Sequence, residues 1–331
     1  MTRAAKQSGE FDRIARYFAP LAASDAGAFG LTDDAAVITP APGTELVVTT
    51  DTIVAGVHYI GDEPPELIAA KLLRVNLSDL AAMGATPRAY TLNVALPLDI
   101  DDRWLEAFAG GLAEDQARFE VTLIGGDSVG TPGPVVLSLT AYGEVPASGA
   151  VRRSAARPGD TVYVSGTIGD GALGLRAVRG KLSGISETDA AALIARYRKP
   201  EPRLGLLARL AQKTALAAAD VSDGLVADLG HITDASDVAM VIRADDVPLS
   251  TAARAVLDRD PDSLAMILSG GDDYELVFCA PHADSDVVEA IAKECDVPVT
   301  AIGKVEKGAG VRVIRADGSE ITLGRTGFTH G

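Results

Sequence analysis

The sequence predicts an α/β (α+β) protein of two domains, on three observations. Its 331 residues exceed the roughly 250 that a single hydrophobic core usually serves. Short apolar runs of strand type alternate with stretches of helical periodicity, the pattern of helices packed on a sheet. Composition shifts to Pro, Gly, Ser and Arg between Pro146 and Gly159, as in a linker. The expected domains are residues 1–148 and 149–331. Gly-Gly-Asp occurs in each half, at 125–127 and 270–272, a weak sign that the halves share a design.

Gly9-Glu10 opens an amphipathic helix with Phe11, Ile14, Phe18 and Leu21 at helical spacing. A loop over 26–30 leads to Asp33-Asp34 and a short strand over 35–38. Pro40, Pro42 and Gly43 turn the chain into a strand, Leu46 to Thr49, that should end at Asp51. An irregular segment over 54–59 carries His58. A helix follows from Pro64-Pro65-Glu66 to Gly84, with proline early and glycine at its end. Next come a strand (88–96), a helix (104–119), a strand (121–124) entering Gly125-Gly126-Asp127, and a strand (135–142), for an α-β-β-α-β-α-β-β order. The second half reads as strand 161–165, helices near 172–178, 188–197 and 203–212, and a short strand into Asp220-Val221-Ser222-Asp223-Gly224. A helix (225–236), a strand (238–242) and a helix (249–257) precede Gly270-Gly271-Asp272-Asp273. A strand (275–279), a helix (286–293) and two strands (297–302, 310–314) close the chain.

No apolar run reaches the ~20 residues that span a bilayer, and the N-terminus lacks a signal-type apolar stretch. Cys279 and Cys295 show no CxxC or Cys/His spacing, as expected of reduced thiols in the cytoplasm. A net charge of −16 supplies no basic stripe for nucleic acid or an anionic membrane. It also constrains any phosphate substrate. Two like charges ~4 Å apart repel by about 4 kcal/mol at an effective dielectric near 20, so divalent cations must stand between carboxylates and phosphates.

The acids recur at junctions: Asp33-Asp34, Asp51, Asp79, Asp127, Asp220, Asp223 and Asp272-Asp273. Their expected role is to converge on magnesium and phosphate. Asn76 and Asp79 share a helix face with apolar neighbours, a costly place for a carboxylate without a partner. In Asp220-Val221-Ser222-Asp223, strand alternation puts Asp220 and Ser222 on one side, and Ser222 or Asp223 is suited to cap the next helix. Gly169-Asp170-Gly171-Ala172-Leu173-Gly174 matches a dinucleotide fingerprint, but no strand ending in an acid follows, so it reads as a strand-to-helix turn. No P-loop, protein-kinase set, G-x-S-x-G or H-E-x-x-H is present.

Thr49-Thr50-Asp51-Thr52, Val75-Asn76-Leu77-Ser78-Asp79, Gly125-Gly126-Asp127, Asp220-Val221-Ser222-Asp223-Gly224-Leu225 and Ser269-Gly270-Gly271-Asp272-Asp273-Tyr274-Glu275-Leu276 together resemble the thiamine-monophosphate kinase family. That family lies in the aminoimidazole-ribonucleotide-synthetase-like superfamily, and the resemblance runs over nearly the whole chain. It implies an N-terminal mixed-sheet α/β domain that dimerises through its sheet, a C-terminal α/β domain, and a site in the cleft between them. The implied reaction is ATP-dependent phosphorylation of thiamine monophosphate to thiamine diphosphate, with several Mg2+ ions and no covalent intermediate. By the same resemblance Asp34, Thr49, Thr50, Asp51, Asp79, Asp127, Asp220 and Asp223 are the metal ligands. Gly126, Asp127, Arg153 and Ser222 contact ATP, while His58, Asp272 and Phe328 line the substrate pocket.

The substrate oxygen is already anionic, so no general base is expected, and positioning with charge neutralisation would carry an in-line transfer. Two positions depart from the family pattern. Asp272 stands where Glu is usual, and Leu31-Thr32-Asp33-Asp34 replaces Ile-Gly-Asp-Asp. The alternatives are another superfamily enzyme, such as aminoimidazole ribonucleotide synthetase, or a non-catalytic nucleotide-binding regulator. The hydrogenase-maturation and selenophosphate-making relatives are disfavoured by the Thr329-His330-Gly331 end and by the lack of cysteine before Cys279.

Overall fold

A computed structural model describes residues 10–324 and 327. It divides into two compact units, the first from the described residues up to Leu80 together with Pro87–Pro146. The second joins Ala81–Thr86 to the described residues from Ala147 on.

The first unit opens with α1 (Glu10–Arg13), which runs on as π-helix over Ile14–Phe18 and 3-10 helix over Ala19–Ala22. Pro20 has no N–H to continue a helical ladder, which fits the change from π to 3-10 winding at Ala19. A four-stranded sheet follows, in the order β1-β4-β2-β3, with β1 (Thr44–Val54), β2 (Thr86–Pro97), β3 (Thr122–Thr131) and β4 (Val136–Pro146). The β1–β4 pair is antiparallel and the β2–β3 pair parallel, so the sheet is mixed. Helices α2 (Pro65–Ala82) and α3 (Asp102–Phe119) are joined by a fully buried pair, Arg74 Nε to Asp115 Oδ2 at 2.7 Å. A Cβ on Gly111 would overlap the main chain of Glu66, so glycine sets how closely these helices approach.

The second unit carries a six-stranded sheet, β10-β7-β9-β5-β8-β6. Its strands are β5 (Asp160–Ser165), β6 (Ala217–Asp220), β7 (Ala239–Arg243), β8 (Leu276–Pro281), β9 (Val299–Glu306) and β10 (Gly310–Ile314). Only β10–β7 is parallel; the other pairs are antiparallel. The helices are α4 (Asp170–Val178), α5 (Glu187–Arg198), α6 (Leu206–Leu210), α7 (Leu225–Ser236), α8 (Thr251–Arg259), α9 (Ser263–Ser269) and α10 (Ser285–Glu294). β5, a central strand paired on both sides, is buried along its whole length, its apolar Val162-Tyr163-Val164 flanked by buried Asp160, Thr161 and Ser165.

Four expectations need correction. No strand forms over 35–38, where Val37 N donates to Gly27 O at 2.9 Å. The first unit therefore reads α-β-α-β-α-β-β. Asp51 is not at a strand end, because β1 continues to Val54 and pairs Asp51 with Leu139. Asp127 likewise lies within β3, opposite Asn93. Helix α9 had no periodicity strong enough to announce it, and α6 is shorter than its apolar pattern suggested.

Candidate functional site

In the N-terminal unit β1 alternates, with residues 46, 48, 50 and 52 exposed and 47, 49, 51 and 53 better covered. Alternation puts Thr49 and Asp51 on one face, where α2 supplies partners. Thr49 Oγ1 donates to Asp79 Oδ2 at 2.5 Å, and the Asp51 N–H donates to Asn76 Oδ1 at 3.0 Å. Asn76 is oriented in turn by its own bond to Leu72 O at 2.9 Å. The three-residue spacing of Asn76 and Asp79 thus has a structural meaning: both reach the same stretch of β1. Burial, and then the charge of Asp79, push the Asp51 carboxyl up to about 6. Thr50 faces the other way. Its hydroxyl donates to Leu139 O at 3.1 Å and accepts from Thr140 Oγ1 at 3.0 Å, so it does not join Thr49 and Asp51.

His58 sits in a tight loop after β1, where its Nδ1 accepts from Val54 N at 3.1 Å. An accepting Nδ1 places the proton of the neutral ring on Nε2.

A cavity of about 370 Å³ gathers a second group of acids in this unit. Its wall includes Asp33, Asp34 and the Gly125–Ser128 stretch, with apolar lining from Phe18, Leu31 and Ile38 among others. Asp127 Oδ1 accepts from Ser128 N at 2.8 Å. Gly126 has φ +153°, and any Cβ there would overlap the carbonyl oxygen of Leu92, so this wall tolerates only glycine.

In the C-terminal unit two loops are sewn together by main-chain bonds. Val221 N donates to Glu275 O, Asp272 N to Ser222 O and Tyr274 N to Val221 O, at 2.8, 2.9 and 2.8 Å. These bonds bring Asp220, Ser222 and Asp223 beside Asp272. A Cβ on Gly271 would overlap Ser222 O, which explains the glycine before Asp272. Neither Ser222 nor Asp223 caps α7: the N-cap is Gly224, at φ +128° and without a side-chain cap bond. Instead, Asp228 reaches back from inside the helix and accepts from Asp223 N and Gly224 N, both at 3.1 Å. Burial and then the charge of Asp223 push Asp228 up to about 7, against the lowering effect of those two amides and of Arg153. Ligand atoms of Asp223, Asp228 and His231 lie within 4.8 Å of one another. Asp228 and His231 were not anticipated. Their signal is an acid and a histidine three apart on α7, with Asp228 on the face shared by Leu225, Leu229 and Ile232.

Asp273 does not converge with its neighbour. Its carboxylate is buried and accepts from Gly169 N at 2.7 Å and Gly171 N at 2.8 Å. The amides of the apparent dinucleotide fingerprint are thus occupied by a carboxyl group from the chain itself. Glu275, fully buried, accepts from Arg203 Nε and Nη2, each at 2.6 Å, from Arg196 Nη2 at 2.9 Å and from Ser165 Oγ at 2.6 Å. Arg153 begins a short 3-10 turn, its carbonyl accepting from Ser236 Oγ at 2.7 Å. Phe328 lies outside the described residues.

Comparison with known proteins defines the class first. Residues 32–145 match the family AIR synthase related protein, N-terminal domain, and residues 157–316 match AIR synthase related protein, C-terminal domain. A thiamine-monophosphate kinase of Caulobacter vibrioides is 45% identical over 332 residues, 99% of this chain and 92% of that one. The crystal structure of thiamine-monophosphate kinase from Stenotrophomonas maltophilia K279a is 43% identical and superposes with a TM-score of 0.80, covering 88% of this chain and 91% of that one. A structure of AaThiL complexed with AMPPCP and TMP is 30% identical, with a TM-score of 0.73 over 90% and 96% of the two chains. The chain belongs to the thiamine-monophosphate kinase family.

Proposed function

We propose that this protein is a thiamine-phosphate kinase, a phosphotransferase that moves the γ-phosphoryl group of ATP onto the phosphate of thiamine monophosphate to give thiamine diphosphate. The observation that carries the reading is the Thr49, Asp51 and Asp79 group, an all-oxygen donor set whose Asp51 is held up to about 6 by burial and by a neighbouring acid. Such a set is short of positive charge and suits a hard divalent cation. The AaThiL relative, with AMPPCP and TMP bound, supports the choice of substrates.

Magnesium fits the donors by their chemistry. Asp34, Thr49, Thr50, Asp51, Asp79, Asp127, Asp220 and Asp223 would hold it, the Thr50 hydroxyl also donating to Leu139 O and accepting from Thr140 Oγ1. When bound, the metal supplies charge neutralisation for the phosphates. Gly126, Asp127, Arg153 and Ser222 are assigned to ATP, with Arg153 suited to grip a phosphate oxygen. His58, Asp272 and Phe328 are assigned to the thiamine phosphate, His58 offering an Nε2–H donor. The accepting phosphate oxygen is anionic already, so the chain positions reactants in line and needs no general base.

The protein is proposed to act in the cytoplasm, as a dimer formed through the N-terminal sheet. Val48, 56% exposed on the open face of β1, supports that surface, and no helix among the described residues is long and apolar enough to cross a membrane. The test is ATP consumption by purified protein with thiamine monophosphate, with thiamine and with neither. Consumption only in the first, matched by thiamine diphosphate, is expected. Equal consumption in all three removes the assignment.

A further inference from the structure

Asp273 is a deeply buried acid next to Asp272, yet its carboxyl is turned toward the Gly169 and Gly171 amides. Its two carboxylate oxygens are taken by the amides of Gly169 and Gly171, at 2.7 and 2.8 Å. A Cβ on Gly171 would overlap the carbonyl oxygen of Asp272, so the glycine turn and the Asp272 turn are in direct contact.

The residues on both sides of Asp273 are strained. Asp272 has φ +73° and Tyr274 φ +51°, left-handed values that L side chains rarely hold without support. Three bonds hold the turn from its other side: Asp272 N to Ser222 O, Tyr274 N to Val221 O, and Arg196 Nη2 to Asp273 O at 2.9, 2.8 and 3.1 Å. The turn therefore stands between a buried anchor and the loop after β6 that carries Val221 and Ser222.

We propose that Asp273 is a positioning residue for the reaction: by filling the Gly169 and Gly171 amides it locks the strained Asp272 turn, and so fixes the Asp272 carboxylate toward the substrate without touching it. The proposal rests on the assignment of Asp272 to the thiamine phosphate pocket. Burial raises the Asp273 carboxyl to about 8, and the two amides oppose that rise. This is the signature of a group held for geometry at an electrostatic cost.

Asp273→Asn keeps the volume but sets an NH2 against one of the two amides. In the folded variant the KM for thiamine monophosphate is expected to rise at least tenfold, with kcat within about threefold of wild type. In an Asp272→Ala background the same change should add less than twofold, because the side chain being positioned is gone. Wild-type KM in folded Asp273→Asn, or losses that multiply in the double variant, overturn the proposal. Should Asp273→Asn fail to fold, Arg196→Gln removes the donor to the Asp273 carbonyl and leaves Glu275 with Arg203. A KM raised about threefold is then expected, and an unchanged one overturns the idea. Unchanged KM in Asp272→Ala shows instead that Asp272 is outside the pocket, and defeats the route through it. Wild-type protein without turnover is the separate failure of the kinase reading, and it takes this proposal with it.

Discussion

In the N-terminal domain Asp51 lies close to Asp79, among a hydroxyl and a side-chain amide, and its carboxyl rises to about 6. In the C-terminal domain Glu275 is fully buried but lies against two guanidiniums, while Asp228 and Asp273 each accept from two main-chain amides. The contrast separates two uses of a carboxylate. One set faces another acid with no cation beside it, which suits a cation that arrives with the substrate. The other is hydrogen-bonded within the chain and serves to hold loops, although burial still pushes Asp228 and Asp273 up to about 7 and about 8.

Substitutions in the two sets should accordingly act in opposite senses. Asp51→Asn removes a repulsion and keeps the main-chain bond to Asn76, so the metal-free protein should melt no lower than wild type. Its kcat should fall about a thousandfold, equivalent to about 4 kcal/mol of transition-state stabilisation. A lowered melting temperature with normal turnover would reverse the roles drawn here. Glu275→Ala should do the reverse of Asp51→Asn. It removes the carboxylate partner of Arg196 and Arg203 and should cost about 3–5 kcal/mol of stability, seen in denaturant unfolding.

Asp228→Asn tests an intermediate case, since Asp228 is both satisfied and next to Asp223. An amide oxygen can still accept from Asp223 N and Gly224 N, so the fold should persist. Loss of its charge should reduce kcat/KM about tenfold, or about 1.4 kcal/mol. Wild-type kinetics would confine Asp228 to holding α7.

A smaller effect is expected from pH. The folded pKa of Asp51, about 6, lies above its ordinary value of 3.8. Between those values the folded chain keeps a proton that the unfolded chain releases. The associated stability is therefore complete below 3.8 and is lost as pH rises through about 6. Melting of the metal-free protein should show this decline by a few degrees, Asp51→Asn should flatten it, and added magnesium should offset it at pH 7. A decline unaltered in Asp51→Asn would assign it to another group.

Much of this arrangement was legible in the sequence, because the motifs sit where backbone geometry demands particular residues. Gly126 and Gly271 are fixed by carbonyls that a Cβ would strike, and Asn76 with Asp79 by helical spacing. The end of β1 was misjudged because Thr49 to Thr52 are polar, and an edge strand with one open face accepts polar residues without ending. Alternation already implied that adjacent Thr49 and Thr50 could not point together. Which way Asp272 and Asp273 face could not be read, since two left-handed residues break the alternation there. Asp228 is hinted at only by its spacing to His231 on α7, since its partners are main-chain amides that leave no residue signature of their own.

The central claim is that these carboxylates serve phosphoryl transfer to a phosphate acceptor. The most direct measurement follows the γ-phosphorus of labelled ATP in the presence of magnesium and thiamine monophosphate. Label in the terminal phosphate of thiamine diphosphate, abolished by chelation of the metal and by Asp51→Asn, is the expected result. Label released only as inorganic phosphate, at a rate indifferent to thiamine monophosphate, would contradict it.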